Sequence, residues 1–175
     1  FYTSCYPKVS ESGWSPLRHY LVRGQFIDAR PHPLFDPGWY REQCALPDGL
    51  PVLLHYIRHG RAEGRAPNPF FDPKWYVEQY PDVAASGMDP LEHFLKIGAD
   101  RSYRPSSKFP LDMYVDRYPD VKNCGLNPLQ HYLLYGKNEG RDISTWDVDL
   151  TNSYPITNTQ IECRKKPSAA KEVAL

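Results

Sequence analysis

The segment DPLEHFLKIG, residues 89–98, decides the fold of this protein because close variants of it occur three more times. The other versions are SPLRHYLVRG (15–24), PVLLHYIRHG (51–60) and NPLQHYLLYG (127–136). Histidine and the closing glycine hold the same place in all four, and successive histidines are 36, 38 and 38 residues apart. Self-similarity at such a period is the signature of a repeat protein.

A second shared block precedes each of these segments. It reads FDPGWYREQ at 35–43, FDPKWYVEQYPDVAASG at 71–87 and FPLDMYVDRYPDVKNCG at 109–125, and the opening FYTSCYPKVSESG (1–13) aligns with its later part. The sequence therefore predicts an all-α array of four repeats of about 38 residues. Its copies are 1–31, 35–67, 71–105 and 109–143, and a non-repeating tail or linker follows at 144–175.

The third copy shows the predicted local structure best. Asp72 is a good N-cap and Pro73 suits the first helical position, where its missing N–H costs nothing. This helix should end near Tyr80, because a residue before proline avoids the α region. A second short helix is expected from Asp82 to a stop at Gly87. Each copy is predicted to contain three such short helices.

The third helix of a copy carries the histidine. Asp89 and Glu92 match a capping box, in which Asp caps the helix and Glu reaches back to the cap residue, and 127–130 repeats the pattern with Asn and Gln. Gly98 and Gly136 are expected to close their helices in the left-handed conformation. Helices of about eight residues are unstable alone in water, so the copies should stack on their neighbours.

Two copies depart from the pattern. The first lacks the leading Phe-Asp-Pro, which suggests an array cut out of a longer chain. The second is two residues shorter, with CALPDGL (44–50) in place of the longer turn.

Composition narrows the function classes. Lys plus Arg and Asp plus Glu both number 21, so there is no basic excess for nucleic acid. The 18 prolines exclude long helices, whereas the 13 tyrosines are too many for a disordered chain.

No segment reaches the roughly 20 apolar residues of a membrane span. The first ten residues lack the features of a secretory signal. A cytoplasmic protein, membrane-associated only through partners, is the expectation; a secreted or cell-surface protein is the alternative.

The cysteines form no CxxC pair and no zinc-ligand spacing, so free thiols are expected at Cys5, Cys44, Cys124 and Cys163. No cofactor is predicted.

The recurring histidines are the first candidate site residues: His19, His55, His93 and His131. Packed helices lie about 8–10 Å apart, which is too far for two of these rings to share one metal ion at about 2.1 Å. A structural role is favoured, in which each half-buried ring bonds a backbone carbonyl or cap nearby. Direct contact with a ligand is the alternative.

Aromatic residues also recur in columns. The candidates are Trp39 and Trp75, Tyr40, Tyr76 and Tyr114, with further columns at Tyr2, at Phe35/Phe71/Phe109 and at Tyr20/Tyr56/Phe94/Tyr132. Such periodicity is mainly a packing signal. Alternatively, an exposed row of rings could bind a sugar polymer.

Two short motifs contain charged residues that could bind an ion or form ion pairs. Asp147 and Asp149 form an Asp-x-Asp pair that could hold a divalent ion, although no run of apolar strands precedes it. Glu-Gly-Arg occurs at 63–65 and 139–141, but the first and third copies have other residues there (27–29 and 101–103), so these pieces are interpreted as loops in which Arg pairs with a carboxylate. With no phosphate loop, zinc-protease motif or nucleophile elbow, the chain is not predicted to be an enzyme.

The pattern Phe-Asp-Pro-x-Trp-Tyr, Tyr-Pro-Asp-Val-Ala, Asp-Pro-Leu-x-His-Tyr/Phe-Leu and Glu-Gly-Arg resembles repeats of large bacterial multidomain glycosyltransferases of surface-polysaccharide assembly, including rhamnan-synthesis-type proteins. Similar units occur in some secreted, calcium-binding repeat proteins. The resemblance covers residues 1–143 and is weakest at 44–50 and at Pro110-Leu111. It implies a module beside a catalytic domain and transfers no catalytic residue to this chain.

The leading functional hypothesis is a non-catalytic helical scaffold or interaction module of such a glycosyltransferase. Its partner would be an adjoining domain or protein, or a glycan. The alternative is a carbohydrate-binding or adhesion module of a secreted protein.

Overall fold

The computed structural model describes residues 1–144, which form eleven α-helices and no β-strand. The first copy holds α1 (Tyr2–Cys5), α2 (Lys8–Glu11) and α3 (Pro16–Val22), followed by a 3₁₀ turn at Gly24–Phe26; the second holds α4 (Pro37–Gln43) and α5 (Val52–His55). The third holds α6 (Pro73–Gln79), α7 (Pro81–Ser86) and α8 (Pro90–His93), and the fourth holds α9 (Leu111–Arg117), α10 (Asp120–Asn123) and α11 (Pro128–His131). Helices α5, α8 and α11 continue into π-helical turns at Tyr56–Gly60, Phe94–Gly98 and Tyr132–Gly136.

The predicted N-caps are present. The Asp72 carboxylate accepts hydrogen bonds from the amides of Lys74 and Trp75, both at 3.1 Å, and Pro73 is the first residue of α6. Helix α6 ends before Tyr80, whose backbone is extended because Pro81 follows it. The middle helix α7 then ends at Gly87 in the left-handed conformation. Local rules therefore account for the first two helices of the third copy.

The prediction that the side chains of Glu92 and Gln130 reach back to their cap residues is wrong. Glu92 does not reach back to the cap; its carboxylate accepts from Lys96 Nζ at 2.7 Å, one turn further along the helix. Gln130 instead lies 3.2 Å from His32, a residue 98 positions earlier in the chain. Asp89 and Asn127 still cap their helices, so only the reciprocal bond is missing.

The expected left-handed closure at Gly98 and Gly136 is also wrong. Both glycines lie inside π-helical turns, and neither has a positive φ. The left-handed residue comes four positions after the glycine in every copy: Asp28, Gly64, Ser102 and Gly140. The amide that follows it returns to the carbonyl of the earlier glycine, as from Tyr103 to Gly98 at 2.8 Å.

The second copy has no middle helix, in contrast to the three predicted for each copy. Its shortened turn has positive φ at Ala45 and Gly49. Arg41 fills the space: it is 9% exposed, donates to the carbonyls of Pro47 and Leu50, and reaches into the first copy to bind Asp28 at 2.7 and 3.0 Å. A buried guanidinium thus satisfies carbonyls that no helix uses.

Between the copies run three segments that each contain a tight turn, here named linker 1 (31–36), linker 2 (67–72) and linker 3 (105–110). Linker 1 donates the Asp36 amide to the Pro67 carbonyl, and linker 2 donates the Asp72 amide to the Pro105 carbonyl, both at 3.0 Å. In return, the side chains of Asn68 and Ser106 donate at 2.8 Å to carbonyls of the preceding linker, at Leu34 and Phe70 respectively. The three linkers therefore lie side by side.

We expect Gly140→Ala to lower the free energy of unfolding by about 1 kcal/mol. A Cβ at Gly140 meets no atom within 4 Å, so the cost comes from its φ of +68° alone. Gly38→Ala is the matched control, because Gly38 lies in α4 without a positive φ and its Cβ would be 3.8 Å from the nearest atom. Urea denaturation should show Gly38→Ala to be neutral or stabilising by up to about 1 kcal/mol. Equal effects of the two substitutions would contradict the assignment.

Candidate functional site

The four predicted histidines all make the same side-chain hydrogen bond. Each lies beside a tyrosine from the first helix of its own copy, with the tyrosine hydroxyl 2.9–3.1 Å from Nδ1 of the ring. The pairs are Tyr2–His19, Tyr40–His55, Tyr76–His93 and Tyr114–His131. The partner of Nδ1 is thus a side-chain hydroxyl, where a backbone carbonyl or a cap had been expected.

The closing glycine completes this group, which we call the Tyr–His–Gly cluster. A Cβ placed on Gly98 would lie 1.9 Å from the Tyr76 hydroxyl oxygen, and at the other three glycines the corresponding distance is 2.2 or 2.3 Å. Such distances are far below van der Waals contact, so no larger residue fits. Glycine is required because a tyrosine hydroxyl rests against the helix backbone.

A second ring packs against the edge or face of each cluster tyrosine. The residue after the histidine is Tyr20, Tyr56, Phe94 or Tyr132, and its ring centroid lies 5.5–5.8 Å from that of the cluster tyrosine. The planes meet at 82–86°, the edge-to-face geometry that aromatic pairs favour. These rings are buried in all four copies.

Burial disfavours the charged form of two cluster tyrosines and of one cluster histidine. Burial raises the pKa of Tyr76 and Tyr114 well above the usual value, so both hydroxyls stay protonated at neutral pH. Burial, aided by the charge of Arg141, lowers the pKa of His131. In the third copy, His93 Nε2 lies 3.9 Å from an Asp82 carboxylate oxygen. That carboxylate favours the proton on Nε2, which leaves Nδ1 to accept from the Tyr76 hydroxyl.

A Tyr–His–Asp series of this kind could move a proton if a substrate reached it. Tyr76 is 0% exposed and His93 is 1% exposed, so nothing approaches the reacting atoms from solvent. A tyrosine with a raised pKa is also a poor source of a phenolate nucleophile. The arrangement is a packing contact that holds the first helix of a copy to its histidine-bearing helix.

The tryptophan candidates lie outside the cluster. Trp39 and Trp75 are half-buried, and Trp75 packs edge-on against Tyr80 at 6.4 Å. Tyr40, Tyr76 and Tyr114, by contrast, are fully buried, as are Phe35, Phe71 and Phe109. The tyrosine and phenylalanine columns therefore cannot present a row of rings to a sugar polymer.

The Glu-Gly-Arg loops hold ion pairs. Arg141 binds the Asp120 carboxylate at 2.7 and 3.0 Å and Glu139 at 2.6 Å, and its guanidinium lies over the Tyr118 ring. Arg65 pairs with Glu63 in the second copy. Sequence reasoning missed Arg41 and Arg104 as partners of Asp28 and Asp112, because neither pair lies within a recognisable motif.

The remaining candidate residues are the cysteines and the pair Asp147 and Asp149. Cys5, Cys44 and Cys124 are free thiols, and no group of three or more His, Cys, Asp or Glu within 1–144 could hold a metal ion. Asp147, Asp149 and Cys163 lie outside the described residues. No helix in the described part of the chain is long and apolar enough to cross a bilayer.

An apolar groove of about 330 Å³ lies on the surface between the second and third copies. Leu34 of linker 1, Leu53 and Ile57 of the second copy and Leu91 and Leu95 of the third line its walls. An Arg61–Asp89 ion pair at 3.0 Å borders it. Sequence reasoning did not predict this groove, since its walls come from three separate segments.

Comparison with protein-family models, with curated proteins and with solved structures found no match to this chain.

The cluster predicts an unusual double-mutant cycle. Gly98→Ala should cost about 1–3 kcal/mol of stability, because its Cβ collides with the Tyr76 hydroxyl. Tyr76→Phe alone should cost about 1–2 kcal/mol, since it leaves His93 without its partner. In the Gly98→Ala background, however, Tyr76→Phe should restore stability, because it removes the colliding oxygen.

Urea denaturation measures all four corners of this cycle. Tyr80→Phe in the Gly98→Ala background is the control: the Tyr80 hydroxyl accepts from the Arg104 amide, and it is not among the atoms nearest to the Gly98 Cβ. It should give no rescue. Strictly additive effects of Gly98→Ala and Tyr76→Phe would contradict the collision.

His131 predicts a loss of stability on mild acidification. Its pKa in the folded protein lies below the ordinary value of 6.5, so the unfolded chain binds the proton more tightly. Its contribution to the free energy of unfolding is therefore complete above about pH 6.5 and falls as the pH drops below that value. His131→Gln should flatten the dependence between about pH 7 and pH 5. The exposed His59→Gln serves as control, and identical slopes for the two variants would refute the assignment.

Proposed function

We propose that this chain is a non-catalytic scaffold and interaction module, built as four stacked repeats. The observation that carries the proposal is that each recurring histidine is hydrogen-bonded to a tyrosine. The groups that might have served catalysis, four tyrosine hydroxyls and four imidazoles, are bonded to one another, and in the third and fourth copies they are almost fully buried. The same contact occurs in each copy, which supports a packing function.

Stacking of the copies is supported by contacts that cross between them. The linkers exchange hydrogen bonds at Asp36–Pro67 and Asp72–Pro105. Phe70 of linker 2 packs edge-on against Tyr132 of the fourth copy at 5.3 Å. Neighbour-to-neighbour contacts of this kind let short helices form a stable array.

The proposed context, a bacterial glycosyltransferase of surface-polysaccharide assembly, is supported by the resemblance of the repeat sequence; there the module would hold the enzyme against a partner or glycan. In the rival function, carbohydrate binding by an aromatic row, burial removes the tyrosine and phenylalanine columns, and of the recurring aromatic candidates the half-buried Trp39 and Trp75 remain as platforms. The scaffold is therefore the better supported of the two.

The full reading frame that encodes these residues tests the proposal. It should also encode a glycosyltransferase domain, and deletion of residues 1–143 should abolish polysaccharide assembly while transfer to a soluble acceptor continues. Titration of the 175-residue chain with nucleotide sugars and Mn²⁺ should give no heat. A reading frame without a transferase domain would refute the polysaccharide context, and metal-dependent turnover by this chain alone would refute the non-catalytic assignment.

A further inference from the structure

Two histidines of the second copy lie side by side on the surface. His55 is the last residue of α5, and His59 lies one turn later in the π-helical turn that continues it, so both side chains share one helix face. Their ring centroids are 5.3 Å apart, and the ring planes meet at 50°. His59 is exposed, and its side chain makes no hydrogen bond within residues 1–144. The Tyr–His–Gly cluster accounts for His55 but gives His59 no role.

The distance between the two rings fits a shared metal ion. An ion bound at about 2.1 Å to a ring nitrogen lies about 3.2 Å from the centroid of that imidazole. Two imidazoles on one tetrahedral ion therefore have centroids about 5 Å apart, which is close to the separation of His55 and His59. Histidines one turn apart on a helix face are also the usual pair of helical zinc sites.

The second copy leaves one nitrogen of His55 free. Nδ1 faces the Tyr40 hydroxyl at 3.1 Å, whereas Nε2 has no hydrogen-bond partner within residues 1–144 and is not buried. In the third copy, by contrast, His93 is 1% exposed and its Nε2 lies 3.9 Å from Asp82 of the middle helix. The second copy has no middle helix and so lacks the counterpart of Asp82. Solvent, and an ion dissolved in it, can therefore reach Nε2 of His55.

Tyr40 supports His55 as a metal ligand. A metal-bound histidine almost always donates its second N–H to an acceptor, which fixes the tautomer and orients the ring. The Tyr40 oxygen, 3.1 Å from Nδ1, is such an acceptor. Burial, aided by the neighbouring Cys44 thiol, raises the pKa of the Tyr40 hydroxyl, so this acceptor stays a neutral phenol. The contact that packs the copy would thus also leave the lone pair of His55 on Nε2.

A carboxylate lies near both rings. The hydrogen bond from Arg65 lowers the pKa of the Glu63 carboxyl most, and positive charge on His55 and on His59 lowers it further. A cation held between the two rings would therefore also be attracted to Glu63.

We propose that His55 and His59 bind one divalent transition-metal ion of the Zn²⁺ or Ni²⁺ type, through Nε2 of His55 and a ring nitrogen of His59. Imidazole suits these ions, whereas Mg²⁺ and Ca²⁺ prefer oxygen ligands. The chain supplies two ligands, in agreement with the absence of any metal-holding group of three or more within residues 1–144. Water, or a donor atom of a bound molecule, completes the coordination. This site goes beyond the scaffold function and does not depend on it.

The other copies lack the second histidine. Arg23, Ile97 and Tyr135 stand at the position of His59. Tyr135 keeps the geometry, because its ring centroid lies 5.7 Å from that of His131 with the planes at 56°. The repeat therefore sets the spacing of the two rings, and the residue type gives the second copy its pair of ligands.

Calorimetric titration of the full 175-residue chain, without a polyhistidine tag, tests the site at about pH 7.5, where the imidazoles are neutral. Ni²⁺ is the probe because imidazole suits it, whereas thiolates select Zn²⁺ and Cu⁺. One ion should bind per chain. His59→Tyr, which introduces the residue of the fourth copy, should weaken binding at least about tenfold, because the second ligand adds to an ion that is already held. No saturable binding below about 1 mM Ni²⁺, or unchanged binding by His59→Tyr, would overturn the proposal.

Two control variants, His19→Gln and Cys44→Ser, locate the ligands. His19 has the same tyrosine contact, 2.9 Å from the Tyr2 hydroxyl, but Arg23 follows it one turn later. Both variants should bind Ni²⁺ as the unchanged chain does, and a loss in either one as large as that of His59→Tyr would overturn the assignment. Circular dichroism checks the fold, and His32→Gln replaces His19→Gln if the latter unfolds.

Competition identifies the class of ion. Zn²⁺ should displace Ni²⁺, whereas Ca²⁺ should not, and displacement by Ca²⁺ would show a carboxylate site and refute the histidine pair. Mn²⁺ is the weakest binder of the first-row divalent series at such ligands, so these results are independent of the nucleotide-sugar titration. Failure of Ni²⁺ to bind leaves the scaffold function standing.

Discussion

The contact between a tyrosine hydroxyl and the backbone of a helical glycine is the interaction on which the rest of the fold depends. It brings the first helix of each copy against the histidine-bearing segment at the distance of a bare backbone, and the histidine bonds the hydroxyl that lies there. A second aromatic ring then packs edge-to-face against the tyrosine. Because hydroxyl, imidazole and glycine depend on one another, none can change alone without loss of packing or of a buried bond.

The surroundings of this cluster vary far more than the cluster itself. Around the loop after the closing glycine, the fourth copy uses Arg141 and Asp120, whereas the third uses Arg101 and Tyr103 on Asp82. The second copy replaces a whole helix with the buried Arg41. Ion pairs at half-exposed positions contribute little and can be exchanged, whereas a filled core position cannot.

The linkers connect parts of the chain that are far apart in sequence. Linkers 1 and 2 each bond the next linker, and both contact the fourth copy, through His32 on Gln130 and Phe70 on Tyr132. A helix in the fourth copy is therefore covered, and its counterparts in earlier copies keep apolar surface open. The groove between the second and third copies lies where this apolar surface stays open.

The sequence by itself determined the four related segments, the Asp-Pro helix starts and the stop before Pro81, because each depends on residues within a few positions of one another. It also identified the tyrosine, histidine and glycine columns, but not what they do. A glycine at a helix end fits both a left-handed turn and a close approach by another side chain, and only the Tyr76 hydroxyl against Gly98 distinguishes the two. The sequence at 127–130 predicts that Gln130 belongs to a capping box, but its side chain lies beside His32, 98 residues away. The tertiary structure decided these points and the groove, because they arise where distant segments meet and local pattern carries no information about such contacts.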